Sequence, residues 1–295
     1  MYELYQVGEK TYYIECPAKI GIYKTGENEV VLIDTGNDKE AAKKVLRVLD
    51  GEGWTLKAIY NTHSNADHIG GNQWIQKKTG CPIYATKVEQ YFTENPELET
   101  AILYGGYAQK SLRNKFLMAK PSETLLLTPE TLPEGLTMFS LPGHFFEMVG
   151  FKTSDDIYFL GDCVFGEHII NKYHFTFIYD VAGYLATLQH IMNLSGALFI
   201  PSHADAVKDI KPLAEKNIAK VKEIETFILQ TCLMGLNFEE ILKEVFDHYS
   251  LTLDLNQYVL VGSTIRSFLS YLVDGGMMTC HFDSNRLIWK TVPQA

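Results

Sequence analysis

The sequence holds no run approaching the roughly 18 consecutive apolar residues of a membrane-spanning helix, so no span is expected. Cationic charge is in short supply. The 26 Lys and Arg stand against 36 Asp and Glu, a formal net charge of −10. That deficit speaks against a broad nucleic-acid or anionic-membrane surface, although a local basic cleft would escape such a count. Cysteine is sparse and odd in number, with Cys16, Cys81, Cys163, Cys232 and Cys280 scattered along the chain. This usage fits reduced thiols in a cytoplasmic protein better than a disulfide framework. Met1–Lys10 offers neither a basic n-region nor an apolar h-region, so no signal peptide is expected there. Internal repeats of about 20–50 residues and low-complexity segments are also missing. What remains is a globular composition of 295 residues, 46% hydrophobic and 21% charged. Such a chain is long enough for one large domain or two smaller ones, with a core that needs no staples.

Strand signals dominate the first sixty residues. Runs at 10–14 and 18–23 are β-rich, and Thr25–Asn28 is a turn cluster. Residues 29–33 (Glu-Val-Val-Leu-Ile) read as a buried strand that ends in Asp34-Thr35-Gly36. Ala41, Ala42, Val45, Leu46 and Leu49 recur at helical spacing behind polar Asn37 and Asp38, a plausible cap region. A strand at 56–60 runs directly into Asn61-Thr-His-Ser-Asn-Ala-Asp-His68. A helix over 71–79 and a strand over 82–85 follow, then a less periodic insertion from about 89 to 121, read as a lid or binding loop. Strands recur at 136–141, 149–153, 157–160 and 198–200, with a helix near 183–194. This alternation predicts an α/β layered domain over residues 1–210. Beyond Lys211-Pro212 the pattern shifts to helices at 213–233, 237–249 and 258–272, then a hairpin at 277–282 and 286–291. These form an expected second module, residues 211–295.

Nine histidines are ordinary in number, but several are placed alike. His63, Asp67 and His68 lie within six residues at the end of one predicted strand. His144 follows Leu141-Pro-Gly143, Asp162 follows the strand at 157–160, and His203 follows the strand at 198–200. Ligand groups in open α/β sheets gather at one edge of strand ends. Imidazole nitrogens and carboxylate oxygens are suitable ligands for Zn, Fe or Mn.

Taken in order, these residues resemble the signature of the metallo-β-lactamase fold superfamily, which includes glyoxalase II-like and β-lactamase-like hydrolases. That signature has an Asp after an early strand, then His-x-His-x-Asp-His, then single His, Asp and His. Here it becomes Asp34, His63-x-Asn65-x-Asp67-His68, His144, Asp162 and His203. The resemblance covers about residues 10–205. It implies an α/β (α+β) fold, an αββα sandwich with a metal site on the shared edge of two sheets. The C-terminal module looks like the winged-helix appendage of some hydrolases of this superfamily. By the same resemblance a first metal would take His63, residue 65 and His144, and a second Asp67, His68 and His203, with Asp162 bridging.

One position departs from the pattern. Asn65 stands where the family has its second histidine, and an amide oxygen is a poorer transition-metal ligand than imidazole. A weakened first position is therefore expected, with Asn65 as weak ligand or bystander. Asp34 resembles the family's structural aspartate, which orients ligands without binding metal. Cys163, next to Asp162, is expected to be a small buried hydrophobe instead of a thiolate ligand. His168 and His174 sit among aromatics, in the cleft wall, in packing or at the surface, while His190, His248 and His281 lie away from the motif edge.

The resemblance implies metal-dependent hydrolysis of a small-molecule ester, thioester, lactone or similar bond. Bound Zn²⁺ (one or two ions, with Fe or Mn as alternatives) lowers its water's pKa to about 7 and polarises the bond under attack. Asp67 and Asp162 are the expected catalytic residues, orienting the hydroxide. A second reading is mononuclear iron chemistry like that of persulfide dioxygenases, since His63, His144 and Asp162 form a two-His-one-carboxylate set. A third is a nucleic-acid-binding or nuclease member of the superfamily, with the C-terminal module contacting DNA. Residues 211–295, however, carry eight Lys and Arg against ten Asp and Glu, and residues 262–273 hold only Arg266 as a cation. Phosphate neutralisation is poorly served there. Packing on the catalytic domain, or on a second subunit in a homodimer, is the expected role.

Overall fold

A computed structural model describes residues 2–293. Met1, at the head of the Met1–Lys10 stretch, and Gln294 and Ala295, at the end of the 211–295 module, lie outside the described residues. A seven-stranded sheet comes first. Its strands are β1 (Glu3–Gln6), β2 (Thr11–Glu15), β3 (Ile20–Lys24) and β4 (Glu29–Ile33), then β5 (Thr55–Tyr60), β6 (Ile83–Ala85) and β7 (Leu125–Leu126), in spatial order β1 to β7. The first four pair antiparallel as a meander; β4 to β7 pair parallel. Between β4 and β5 runs α1 (Lys39–Glu52), capped by Asp38, whose carboxylate accepts from the N–H groups of Glu40 and Ala41. The expected cap region is the observed one. Next come α2 (Ala66–Ile69) and α3 (Asn72–Thr79), which separate β5 from β6.

Alternation along β4 explains the continuous apolar run. Val30 and Leu32 join the layer under α1 and α3, with Ala42, Val45, Leu49 and Ile75. Val31 and Ile33 point to the opposite face. A strand buried on both faces reads as unbroken hydrophobic sequence.

The insertion differs from its sequence reading. Residues 89–121 are not a loop throughout: α4 (Lys87–Glu94) and α5 (Glu97–Tyr104) open the segment. Their inward faces carry Glu89, Phe92 and Thr93, then Glu99, Thr100 and Leu103, all buried. Carboxylates and threonines on the inner face erase the apolar periodicity by which an amphipathic helix is recognised. The exposed edge strand β1 escaped for a related reason, having no buried face to show.

The second sheet has the order β11-β10-β9-β8, formed by β8 (Leu136–Ser140), β9 (Val149–Thr153), β10 (Ile157–Phe159) and β11 (Leu198–Ile200). Between β10 and β11 lie α6 (Glu167–Tyr173) and α7 (Val181–Ile191). One core layer joins the sheets, with Val31, Ile33 and Tyr60 from the first meeting Val149, Phe151, Ile157, Phe159 and Ile200 from the second. The outer face of the second sheet, with Tyr158 and Phe199, packs beneath Tyr184, Leu188 and Ile191 of α7. Helices thus cover both outer faces, giving the expected αββα sandwich.

The remaining elements are α8 (Lys211–Thr231), β12 (Leu236–Asn237), α9 (Phe238–His248), α10 (Leu255–Asp274), β13 (Met278–Asp283) and β14 (Arg286–Thr291). The three strands form a small sheet in the order β12-β14-β13. The core of this region is continuous with that of α7. Val221, Ile224, Ile265 and Phe268 belong to the same cluster as Leu188 and Ile191, across the expected division at 210. A second seam joins α10 to the insertion, where Val259 packs with Leu103, Leu112 and Leu117. Among the described residues no helix is long and apolar enough to cross a membrane.

Candidate metal centre

Each motif residue emerges from the end of a strand on the edge between the sheets. After β4, Asp34 adopts φ +65°, a left-handed conformation that Asp tolerates better than most residues. Its carboxylate then accepts from the Thr62 N–H at 2.9 Å and the Thr62 hydroxyl at 2.7 Å. His68 Nδ1 lies 2.8 Å from Asp34 Oδ2, so Nδ1 carries the proton and Nε2 faces inward. The Thr62 hydroxyl, having given its proton to Asp34, accepts from His63 Nδ1 at 3.0 Å. His144 Nδ1 lies 2.8 Å from the Phe177 carbonyl, which can only accept. In His63, His68 and His144 alike, the outer ring nitrogen is used and Nε2 is turned into the site, the orientation that outer partners give to ligating histidines.

The inner atoms converge in two groups. Asp67, His68, Asp162 and His203 each offer one ligand atom, all within 4.8 Å of one another; His63, His144 and Asp162 do the same. His68 Nε2 and Asp162 Oδ1 are 3.1 Å apart. His203 Nε2 is 3.1 Å from Asp67 Oδ2 and 3.2 Å from Asp162 Oδ2. His63 Nε2, His68 Nε2 and Asp162 Oδ1 are nevertheless buried without a hydrogen-bond partner. Orphaned donors and acceptors at such depth are costly unless something else satisfies them. A divalent cation does so, and N/O sets of this composition suit Zn, Fe or Mn. The residues fit the metal that the resemblance implies.

Electrostatics divide the site. Burial, together with the neighbouring His68, holds His63 well below the usual imidazole range, and burial likewise lowers His144. Burial opposes protonation of His203 too, but Asp162 and Asp67 override it and raise that imidazole to about 10. His68 is raised in the same way, against its burial, by Asp162, Asp67 and Asp34. Asp162 is in turn held low, burial notwithstanding, by His203 and His68. Burial thus favours the neutral form of His63 and His144, whereas the carboxylates beside His68 and His203 favour protonated imidazoles, whose inward protons a cation would displace.

Asn65 is the residue whose role the geometry sharpens. It is the N-cap of α2, yet its side chain makes no capping bond, although Asn is among the favoured caps. Instead its Nδ2 donates to Glu99 Oε1 at 2.8 Å, and its Oδ1 lies 3.0 Å from His144 Nε2. Glu99 and Glu89 border the candidate site and were not expected from the sequence. Glu89 accepts from the Ser64 N–H, the Ser64 hydroxyl and the Glu147 N–H, tying the His63 loop to the His144 loop. Their only signal was helical spacing to a buried partner, Glu89 to Phe92 and Glu99 to Leu103. Lys19 is a third, its buried ammonium donating to the Ala204 carbonyl at 2.7 Å beside His203.

Other expectations resolve simply. Cys163 is fully buried, and burial pushes its thiol far up, as the hydrophobe reading required. His168 belongs to α6 and is exposed, not in a loop. His174 ends α6, packing its ring 4.8 Å from that of Tyr249, so its role is packing.

The family model described as the metallo-beta-lactamase superfamily matches residues 14–203. The chain belongs to that superfamily. It is 29% identical over 129 residues to a hydroxyacylglutathione hydrolase of Methylococcus capsulatus, a match covering 43% of this chain and 41% of the relative. A hydroxyacylglutathione hydrolase of Hyphomonas neptunium is 27% identical over 145 residues, 49% of this chain and 46% of the relative. The chain therefore spans less than half the length of these curated relatives. Solved structures extend the likeness of fold over nearly all of it. A metallo-beta-lactamase family protein from Thermus thermophilus superposes with TM-score 0.72 at 16% identity, over 93% of this chain and 94% of that one. A beta-lactamase domain protein from Burkholderia ambifaria gives 0.74 at 15% identity, over 98% and 94%. The C-terminal helices and small sheet thus fall largely within the region whose fold is shared with these two solved structures.

Proposed function

We propose that this metallo-beta-lactamase superfamily member is a metal-dependent hydrolase of a small ester, thioester or lactone, with Zn²⁺ at one or two positions and Fe or Mn as alternatives. The observation that carries the reading is the convergence of His63, His68, His144, His203, Asp67 and Asp162 into two ligand groups sharing Asp162. When bound, such an ion activates water at neutral pH and polarises the bond under attack. The chain's own contribution is positional. His63, Asn65, His144 and Asp162 hold one position; Asp67, His68, His203 and Asp162 hold the other. The Asp67 side chain is the most exposed of the six, 37% against 17% for His203 and 6% for Asp162. Substrate therefore approaches at Asp67, whose carboxylate orients the attacking water together with Asp162. The matches to hydroxyacylglutathione hydrolases support placing thioesters first among the substrates to try.

The C-terminal order of helix, strand, two helices and hairpin supports the winged-helix-like reading, used here for packing. Residues 262–273 lie within α10 and bury Ile265, Phe268, Leu269 and Leu272, and their one cation, Arg266, sits 3.6 Å over the Phe238 ring. Duplex DNA finds no phosphate-neutralising helix there. Five free thiols, four of them buried, support a cytoplasmic setting.

His63, His144 and Asp162, a complete group by themselves, favour iron redox chemistry as the second reading. Protein purified without chelator should be analysed for metal and assayed on thioester, ester, lactone and phosphodiester substrates, with oxygen consumption followed in parallel. Hydrolysis that falls about 100-fold or more in Asp67→Asn, without a change in melting temperature, is expected. Oxygen uptake without hydrolysis would replace this reading by the second.

A further inference from the structure

We propose that Glu99 is a positioning residue for the first metal position. It holds the Asn65 amide with its oxygen turned inward, so that Asn65 acts as an oxygen ligand where the family pattern has an imidazole. The inference rests on the metal-centre reading above.

The argument begins with the hydrogen-bond inventory. His144 gives its Nδ1 proton to the Phe177 carbonyl, so Nε2 carries a lone pair. Asn65 Oδ1, also an acceptor, lies 3.0 Å from that nitrogen. Two acceptors face each other, an arrangement that repels unless a cation lies against both. An amide whose orientation were free would turn its NH₂ to His144 instead, making an ordinary hydrogen bond and closing the position.

Glu99 prevents that turn. Its Oε1 accepts from Asn65 Nδ2 at 2.8 Å. A carboxyl carbonyl oxygen accepts in either protonation state, so the NH₂ end is bound outward throughout. Only 7% of Glu99 is exposed, and it sits on α5 one turn from Leu103, which packs on Val259 of α10. The C-terminal region thus buttresses the helix that fixes a ligand. This gives it a role beyond covering the sheet.

With Asn65 counted, each position has two imidazole nitrogens and two oxygens. The first position is therefore harder than a three-histidine set would be.

The test is a chelator competition with Zn²⁺ alone, on the full chain, for wild type, Glu99→Leu and Glu99→Gln, and for Glu99→Leu in an Asn65→Ala background. Loss of an orienting partner weakens metal binding about 10–100-fold. Glu99→Leu is expected to weaken one of two zinc equivalents by that factor and leave the other within about threefold. Glu99→Gln, which keeps a carbonyl acceptor, should retain both. In the Asn65→Ala background Glu99→Leu should add nothing, because the residue through which it acts is gone. If Glu99→Leu fails to fold, Glu99→Ala takes its place. Unchanged zinc binding in Glu99→Leu, or an equal loss in both backgrounds, would overturn the proposal while leaving the metal centre standing. A wild-type chain that binds no zinc would overturn both.

Discussion

Glu89 is 1% exposed and joins two ligand-bearing loops, accepting from Ser64 on one and Glu147 on the other. Burial outweighs these bonds and lifts its carboxyl from 4.5 to about 7. The folded protein therefore binds more protons than the unfolded chain between those values. Its stabilising share is fully present below about pH 4.5 and is lost as pH rises through about 7. At about 1.4 kcal/mol per pKa unit the change is about 3 kcal/mol. Denaturant unfolding of metal-free protein from pH 5 to 8 should show this decline in wild type and a flatter profile in Glu89→Gln. Parallel profiles would show that Glu89 does not titrate in this range. The convergence of the six candidate residues, His63, Asp67, His68, His144, Asp162 and His203, was legible in the sequence because imidazoles and aspartates just past strand ends have few other reasons to recur. Glu89 and Glu99 were not, because a buried carboxylate on a helix has the same letter as a solvated one.

At the scale of elements, the parallel strands β4, β5 and β6 were readable as strand runs, though β7 was not, and α1 was readable from its spacing and its Asp38 cap. The geometry of the connecting loops was not, since it depends on what lies opposite. Gly143 is an example. It precedes His144 with φ +119°, and a Cβ there would lie 2.1 Å from the backbone nitrogen of Tyr184. Neither the backbone angle nor the close approach to α7 tolerates a side chain. Gly143→Ala should destabilise the fold by roughly 2–4 kcal/mol and displace His144. Thermal unfolding checks the first and zinc affinity the second. A variant as stable and as tight-binding as wild type would mean that this loop is freer than its contacts indicate.

For the whole molecule, the alternation of strands and helices gave an α/β layered domain and the family resemblance implied its αββα sandwich, while the relation of residues 211–295 to the rest was not legible. A sequence shows where composition shifts, but a core shared between α7, α8 and α10 arises only when distant faces meet. That shared core, and the seam from α10 to α5, make the C-terminal helices part of the support for the ligand edge. The central claim is that this edge holds metal, at one or both of two positions that share Asp162. Anomalous diffraction at the zinc edge, from crystals of protein supplied with Zn²⁺ and never exposed to chelator, tests it most directly. The account predicts a peak among Asp67, His68, His203 and Asp162, joined at saturating zinc by a second among His63, Asn65, His144 and Asp162. Ions bound elsewhere, or no peak at either position despite saturating zinc, would contradict it.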